Sequence, residues 1–360
     1  MSALNFIHES RPGRVVFGVG CLQRVGQEVA ALGASRALVL CTPEQRATAE
    51  AVMAALGPRA TGIFDGAVMH VPLEVARQAR AAAHAQGADC AVAVGGGSTI
   101  GLGKAIALDS GLPILAIPTT YAGSEMTPIY GITEAGLKKT GRDPRVLPRI
   151  VLYDPELTRS LPPAIRVTSG LNAIAHAAEG LYAHDGSPVT ALMAEEGMRA
   201  LAGALDQFQI GSDDPVAAVA REQALYGAWL CGTVLGSVAM GLHHKLCHTL
   251  GGSFNLPHAE THSVMLAHAL AYNAPNAEPA MARIARALNV EDAARGVFEL
   301  ARRLGSPLAL KDIGMPESGL DRVADLAVQS PYPNPRPLDR QALREMLQRA
   351  WAGAPPEVDR

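Results

Sequence analysis

The sequence predicts an α/β domain followed by an all-helical one, and three observations carry that prediction. Short apolar runs alternate with amphipathic stretches as far as Asp154-Pro155. A proline break, Leu161-Pro162-Pro163, follows. Beyond it, strand-like alternation gives way to Ala- and Leu-rich helical periodicity. The expected division is residues 1–157 and 158–360, hinged near 155–163.

In the first part, Arg14–Phe17, Ala37–Leu40, Gly62–Phe64, Cys90–Val94, Ile114–Ile117 and Ile150–Leu152 read as strands. Cys21–Leu32, Pro43–Leu56, Pro72–Gln86 and Ser98–Leu108 read as the helices between them. Several have Pro near the first turn and Gly just past the end, the usual asymmetry of helix punctuation. This alternation implies a largely parallel sheet covered on both faces. Pro128–Lys139 differs, alternating around Gly131 as a small hairpin does. In the second part helices are expected near Ile165–Ala183, Pro188–Phe208, Pro215–Leu235, Leu242–Phe254, His258–Tyr272, Pro279–Ala287, Glu291–Leu304, Gly319–Gln329 and Asp339–Ala352.

Composition narrows the function classes. Hydrophobic residues make up 48% and charged residues 18%, enough to bury a sizeable core. The formal net charge of -3 argues against a nucleic-acid partner, which selects a basic excess. No apolar run reaches membrane-spanning length, and no basic segment leads into an apolar one at the N-terminus. Five scattered cysteines without CxxC spacing fit reduced thiols in the cytoplasm. A cytoplasmic enzyme is the expectation.

Two loops carry the first chemistry. Gly95-Gly96-Gly97-Ser98 lies between a buried strand and a helix start. Glycines there let the backbone approach a phosphate, and helix amides supply partial positive charge. Ser98 is the expected N-cap. The turn is neither the usual dinucleotide fingerprint nor a Walker loop, and a merely tight turn is the competing explanation. Thr119, Thr120, Ser124 and Thr127 follow the next strand, so in a doubly wound sheet both loops face one crevice. After the second strand stands Cys41-Thr42-Pro43; with no acid there to repel a 2′-phosphate, NADH and NADPH should be poorly discriminated. Glu125, Arg142 and Arg145 could equally be solvated loop charges and stay outside the expected site.

In the helical part, Asn172 and His176 stand at i, i+4 and share a helix face, as do His244 and His248. His258 opens the next helix beside Pro257. Six of the eleven histidines fall in Ser169–Glu179 and Gly241–His262. A lone helical histidine is usually a core residue; paired spacing in two helices points to a site.

The order of GGGS, PTT with GSE-T, SG-NA--HA-E and HH--CH-LGG----PH resembles the iron-containing alcohol dehydrogenase superfamily, whose plan is shared by dehydroquinate synthase. Within it, YAGSEMTPI, SGLNAIAHAAEGLYA and GLHHKLCHTLGGSFNLPHAETH are similar to the maleylacetate reductase family, and the similarity extends to Asn334-Pro335-Arg336-Pro337. The resemblance implies an N-terminal dinucleotide-binding domain, an all-α catalytic domain and a homodimer. It also implies NADH- or NADPH-dependent reduction of the C=C bond of maleylacetate to 3-oxoadipate in aromatic-compound degradation. In metal-dependent members one Asp and three His hold the ion. By position these are Asn172, His176, His244 and His258 here, with His248 matching the histidine near the nicotinamide. A neutral amide is a poorer ligand than a carboxylate for a hard cation, so no metal is expected, although three histidines could still bind zinc.

Hydride addition β to the ketone leaves an enolate, which protein donors can stabilise and a histidine can protonate. His244 and His248 are assigned these tasks, with His243 in reserve. Lys245 and His258 are expected to neutralise the carboxylates of a small dicarboxylate substrate, with Asn172 and His176 as further partners. Gly95, Gly96, Gly97 and Ser98 are expected on the pyrophosphate, and Thr42, Thr119, Thr120, Ser124 and Thr127 in the crevice. Lys138 or Lys139 matches a family coenzyme contact, the spacing to Pro148 favouring Lys138. Two alternatives remain: a metal-dependent alcohol or polyol dehydrogenase, and a dehydroquinate synthase-like lyase that returns its NAD unchanged.

Overall fold

The structure, a computed structural model, describes residues 6–8, 13–134, 137–208, 214–329 and 332–358, with the side chains of 137 and 138 excepted. The chain forms two compact units, with the main break between Leu161 and Pro162.

Among the described residues of the first unit, six strands form a parallel sheet in the order β1-β8-β5-β4-β2-β3. These are β1 (Arg14–Phe17), β2 (Ala37–Leu40), β3 (Ala60–Phe64), β4 (Cys90–Gly95), β5 (Ile114–Pro118) and β8 (Ile150–Tyr153). The four residues of β2 and the six of β4 are all buried, the unbroken apolar reading of strands covered on both faces. The covering helices are α1 (Val25–Ala31), α2 (Arg46–Leu56), α3 (Leu73–Ala85) and α4 (Gly97–Ser110). Two predicted helices begin as 3-10 turns, at Cys21–Arg24 and Pro43–Gln45, before α1 and α2 proper. The hairpin is present as antiparallel β6 (Ile129–Glu134) and β7 (Leu137–Arg142).

The second unit is helical. It contains α5 (Pro163–Gly180), α6 (Pro188–Gln207), α8 (Leu242–Phe254), α9 (His258–Asn273), α10 (Glu278–Leu288), α11 (Ala293–Arg303), α12 (Leu320–Gln329) and α13 (Arg340–Ala352). It also takes α7 (Pro215–Ser237) from Tyr226 onward, while the earlier turns of that helix group with the first unit. Ser187 starts α6 through a capping box with Thr190, followed by Pro188 at the first helical position. The small residues serve close packing: a Cβ on Gly227 would lie 2.7 Å from the Gly197 carbonyl. From Thr168 to Gly180, α5 is buried on every side, the pattern of a central core helix packed here on α6 and α9.

Among the described residues no single helix is long and apolar enough to cross a membrane; α7 and α8 reach that composition only as a pair bent by 92°. All five cysteines are buried free thiols.

Candidate functional site

In the first unit β4 pairs with β2 on one side and β5 on the other, so their carboxyl ends stand together. β4 ends on Gly95, Gly96 is the N-cap of α4, and Gly97 begins the helix. Gly95 has φ +151°, and a Cβ there would lie 2.4 Å from Gln45 Oε1 and 2.5 Å from Thr99 Oγ1. Only glycine fits. Ser98 takes the second helical position, not the expected N-cap, and no side chain caps the helix. Thr99 is fully buried, with no hydrogen-bond partner for its hydroxyl among the described residues. A helix start uncapped by side chains, beside a buried orphan hydroxyl, suits an anionic group such as a pyrophosphate.

The loop after β5 is tied down from behind. Lys104, on α4 and almost wholly buried, donates from Nζ to Ser124 O at 2.6 Å, Thr127 Oγ1 at 2.9 Å and Ile129 O at 2.7 Å. Burial pushes its pKa down to about 7, against an upward pull from Glu125. Thr127 is buried and donates onward to Ser124 O, while Thr119 Oγ1 accepts from Gln45 Nε2 at 2.6 Å. Two of the hydroxyls expected in the crevice are therefore engaged by the protein itself. Thr120 and Ser124 are half-buried. Glu125 is not a solvated charge: it is buried, accepts the Tyr153 hydroxyl at 2.8 Å, and has its pKa raised by desolvation. Arg145 pairs with Asp143.

Thr42 is half-buried and opens the Pro43–Gln45 turn. An acid does stand beyond it. The Glu44 carboxylate is exposed and held below its ordinary pKa by its own backbone N–H and the Thr42 hydroxyl, which removes the stated reason for weak coenzyme discrimination. Lys138 lies in β7, its side chain outside the described residues; Lys139 pairs with Glu134.

In the second unit, α5 carries Asn172, His176 and Glu179, α8 carries His243, His244, Lys245 and His248, and α9 carries His258 and His262. Glu179 organises the start of α8. Its Oε1 accepts the His243 N–H at 2.9 Å, and its Oε2 takes the His244 N–H at 3.3 Å and His244 Nδ1 at 2.5 Å. A carboxylate there also meets the positive end of the helix dipole. Burial raises the Glu179 pKa, while His243 and the amides of His243, His244 and Gly241 pull it down.

His244 Nε2 lies 2.8 Å from His176 Nδ1. With Nδ1 donating to Glu179, the neutral ring accepts at Nε2 and His176 donates, a tautomer assignment made from the network. Burial presses the His244 pKa well below its ordinary value. His244 thus stays neutral with both nitrogens engaged. That differs from the expected proton donor near neutrality. His243 changes role as well: it is fully buried, pressed to about 3, and lies with Nε2 2.9 Å from His262 Nδ1. His248 and His258 are exposed, with rings stacked 6.4 Å apart. His258 also sits 4.3 Å from His262, and His244 sits 6.2 Å from His248, so the six rings form one continuous group. Lys245 is half-buried, with its ammonium 5.8 Å from the Tyr332 ring.

Asn172 is buried, and its Oδ1 has no hydrogen-bond partner among the described residues. An orphan amide oxygen, one turn from the His176–His244 pair, offers a neutral oxygen-and-nitrogen donor set. This fits a borderline divalent cation better than a hard one. The ligand atoms of His243, Cys247 and His262 also lie within 4.8 Å of one another, all buried. The absence of a metal, expected on the strength of Asn172 alone, therefore has no support in this donor set.

Gln45, Lys104, Glu179 and His262 had no assigned place in the sequence reading. Two had a readable signal: Glu179 is three residues past His176, and His262 is four past His258.

Two family models match the chain: "Iron-containing alcohol dehydrogenase" over residues 12–155 and "Fe-containing alcohol dehydrogenase family, C-terminal" over residues 166–351. The chain is 64% identical to a maleylacetate reductase of Burkholderia cepacia over 351 residues, covering 98% of this chain and 99% of that protein. Among solved structures, a putative alcohol dehydrogenase from Ralstonia eutropha superposes with a TM-score of 0.96 at 63% identity, covering 99% of this chain and 100% of that one. A maleylacetate reductase from Agrobacterium tumefaciens gives 0.93 at 52% identity, covering 98% and 100%. A chain matched over its two halves by these family models, and over nearly its full length by such relatives, belongs to the iron-containing alcohol dehydrogenase family and, within it, to the maleylacetate reductases.

Proposed function

We propose that the protein reduces the carbon–carbon double bond of maleylacetate to give 3-oxoadipate, with NADH or NADPH as cosubstrate, in the breakdown of aromatic compounds. The observation that carries this is the near-full-length match to maleylacetate reductases, at 64% and 56% identity. The two sites agree with it. In the first unit the start of α4, at Gly96, Gly97 and Ser98, receives the pyrophosphate of the cosubstrate, with Thr99 Oγ1 beside it. Lys104 keeps the Ser124–Ile129 segment in place from the same helix.

In the second unit the substrate meets imidazoles. Hydride arrives at the carbon β to the ketone, and charge collects on the ketone oxygen. His176, its Nδ1 committed to His244, is the buried imidazole of α5 that lines the substrate side of this cluster. His248 is the exposed imidazole of α8 and delivers the proton that completes the reaction. Glu179 and His244 hold His176 in register. His258 and Lys245 face the charge of the carboxylates.

A divalent ion, when bound, would be held by Asn172, His176, His244 and His258 and would polarise the ketone oxygen as a Lewis acid. Our reading is that turnover does not depend on it, because both ring nitrogens of His244 are already engaged, by Glu179 and by His176. The protein acts as a cytoplasmic homodimer, a state that light scattering checks. The deciding assay follows nicotinamide absorbance with maleylacetate, with and without a chelator. Stoichiometric oxidation of NADH or NADPH that survives chelation supports the full reading. Loss of activity on chelation, restored by iron or zinc, selects the metal-dependent alternative, which the orphan Asn172 oxygen favours.

A further inference from the structure

The turn after β2 reaches into the coenzyme crevice in a way no motif reveals. Gln45 ends the Pro43–Gln45 turn, closed by its N–H to Thr42 O at 3.0 Å, and its side chain crosses the end of β4. Nε2 donates to Thr119 Oγ1 beyond β5, and Oε1 lies against Gly95 at the spot where a Cβ would sit. That oxygen is buried and has no hydrogen-bond partner among the described residues. A buried acceptor without a donor is costly, which points to a donor that arrives with a ligand. In doubly wound sheets the end of the second strand is where the adenosine ribose of a dinucleotide lies. The exposed Glu44 carboxylate, anchored by Thr42, stands on the same turn.

We propose that Gln45 is a coenzyme-selecting residue: its amide oxygen accepts the 2′-hydroxyl of the adenosine ribose, while Glu44 adds the charge that opposes a 2′-phosphate. This rests on the coenzyme reading above and deepens it. The wild-type enzyme therefore favours NADH over NADPH. Gly95 and Gln45 form one device, since a side chain at 95 would displace the amide that does the selecting.

The test is kcat/KM for NADH and for NADPH, at fixed maleylacetate, in the wild type and two variants. Gln45→Leu keeps the bulk and removes the acceptor. NADH efficiency should fall about tenfold and NADPH efficiency by less than about threefold, the loss of one hydrogen bond made to only one coenzyme. Glu44→Gln alters an exposed side chain, so folding is not at stake; the ratio of NADPH to NADH efficiency should rise about threefold to tenfold. Equal losses for both coenzymes in Gln45→Leu would show that the amide only braces Thr119 and the glycine turn, and would overturn the proposal. An unmoved NADH:NADPH ratio in Glu44→Gln overturns the charge half. Failure of the wild type to bind either coenzyme, read by nicotinamide fluorescence, overturns the coenzyme reading itself and is seen without any variant.

Discussion

Replacing Glu179 with glutamine tests whether a single buried carboxylate assembles the histidine cluster. Its two oxygens accept three donors: the backbone N–H of His243, the backbone N–H of His244 and His244 Nδ1. An amide offers only one oxygen. If that oxygen faces His244, the NH2 group confronts the His243 N–H, and a buried donor is left unpaired at a cost of about 1–3 kcal/mol. The bonds that survive lose their charge assistance, worth roughly a further 1 kcal/mol. The expected destabilisation is about 2–4 kcal/mol, or about 4–16 °C in Tm for a unit of this size. Calorimetry reads the loss directly. Activity should fall further than stability explains. Once His244 is free to rotate, His176 loses the partner at 2.8 Å that orients it. Misplacement on that scale lowers kcat about 10²-fold. A Tm within about 2 °C of wild type, with kcat/KM unchanged, would refute the reasoning and reduce Glu179 to a packing residue.

Three further outcomes follow from the same geometry. His248→Ala should lower turnover by about 10²–10⁴-fold while leaving NADH affinity nearly unchanged, as stopped-flow turnover and equilibrium fluorescence will show. Asn172→Asp should raise zinc or iron retention in elemental analysis and raise KM for maleylacetate, since it adds an anion to the proposed site of a dianionic substrate. Lys104→Met gives a pH signature. The wild-type lysine titrates near 7 when folded and near its ordinary 10.5 when unfolded, so between those values the unfolded chain holds the extra proton. Wild-type stability relative to Lys104→Met should therefore rise with pH across that window, by on the order of 1 kcal/mol per pH unit. A flat or falling difference in unfolding free energy between pH 7 and 9 would contradict it.

The architecture was legible because the central strands β2, β4, β5 and β8 are short unbroken apolar runs, whereas β3, with Thr61 in it, begins two residues before the predicted Gly62. β1 and β2 have the bounds the pattern predicts, and the family resemblance rested on long contiguous motifs. The site was legible only where periodicity carries it. Asn172 with His176 and His244 with His248 follow directly from four-residue spacing on a helix. What spacing does not carry is depth. His243 and His244 are adjacent in sequence and both buried, yet one joins His262 and the other joins His176 and Glu179. Burial then decides their protonation, which the sequence does not print. The crevice hydroxyls show the same limit. Thr119 and Thr127 look like ligand groups in a polar loop, and only the distant Gln45 and Lys104 reveal that they are already bonded. Glu125 misleads because a charged residue in a loop is normally solvated, whereas here Tyr153 and Lys104 lie behind it.

The charge pattern of the helical unit links these details to the substrate. A carboxylate at position 172 would place an anion among the imidazoles, which helps a cation and repels a dicarboxylate. The amide found there removes that anion, but it does so beside Glu179, a buried carboxylate already in the cluster. Glu179 is harmless because its charge is spent on the α8 start: three N–H groups and the positive helix end neutralise it from one side. The remaining groups, the His176 ring, the exposed His248 and His258, and Lys245, bring no further negative charge. On the proposed reading, these are the groups that a dicarboxylate would meet at the start of α8.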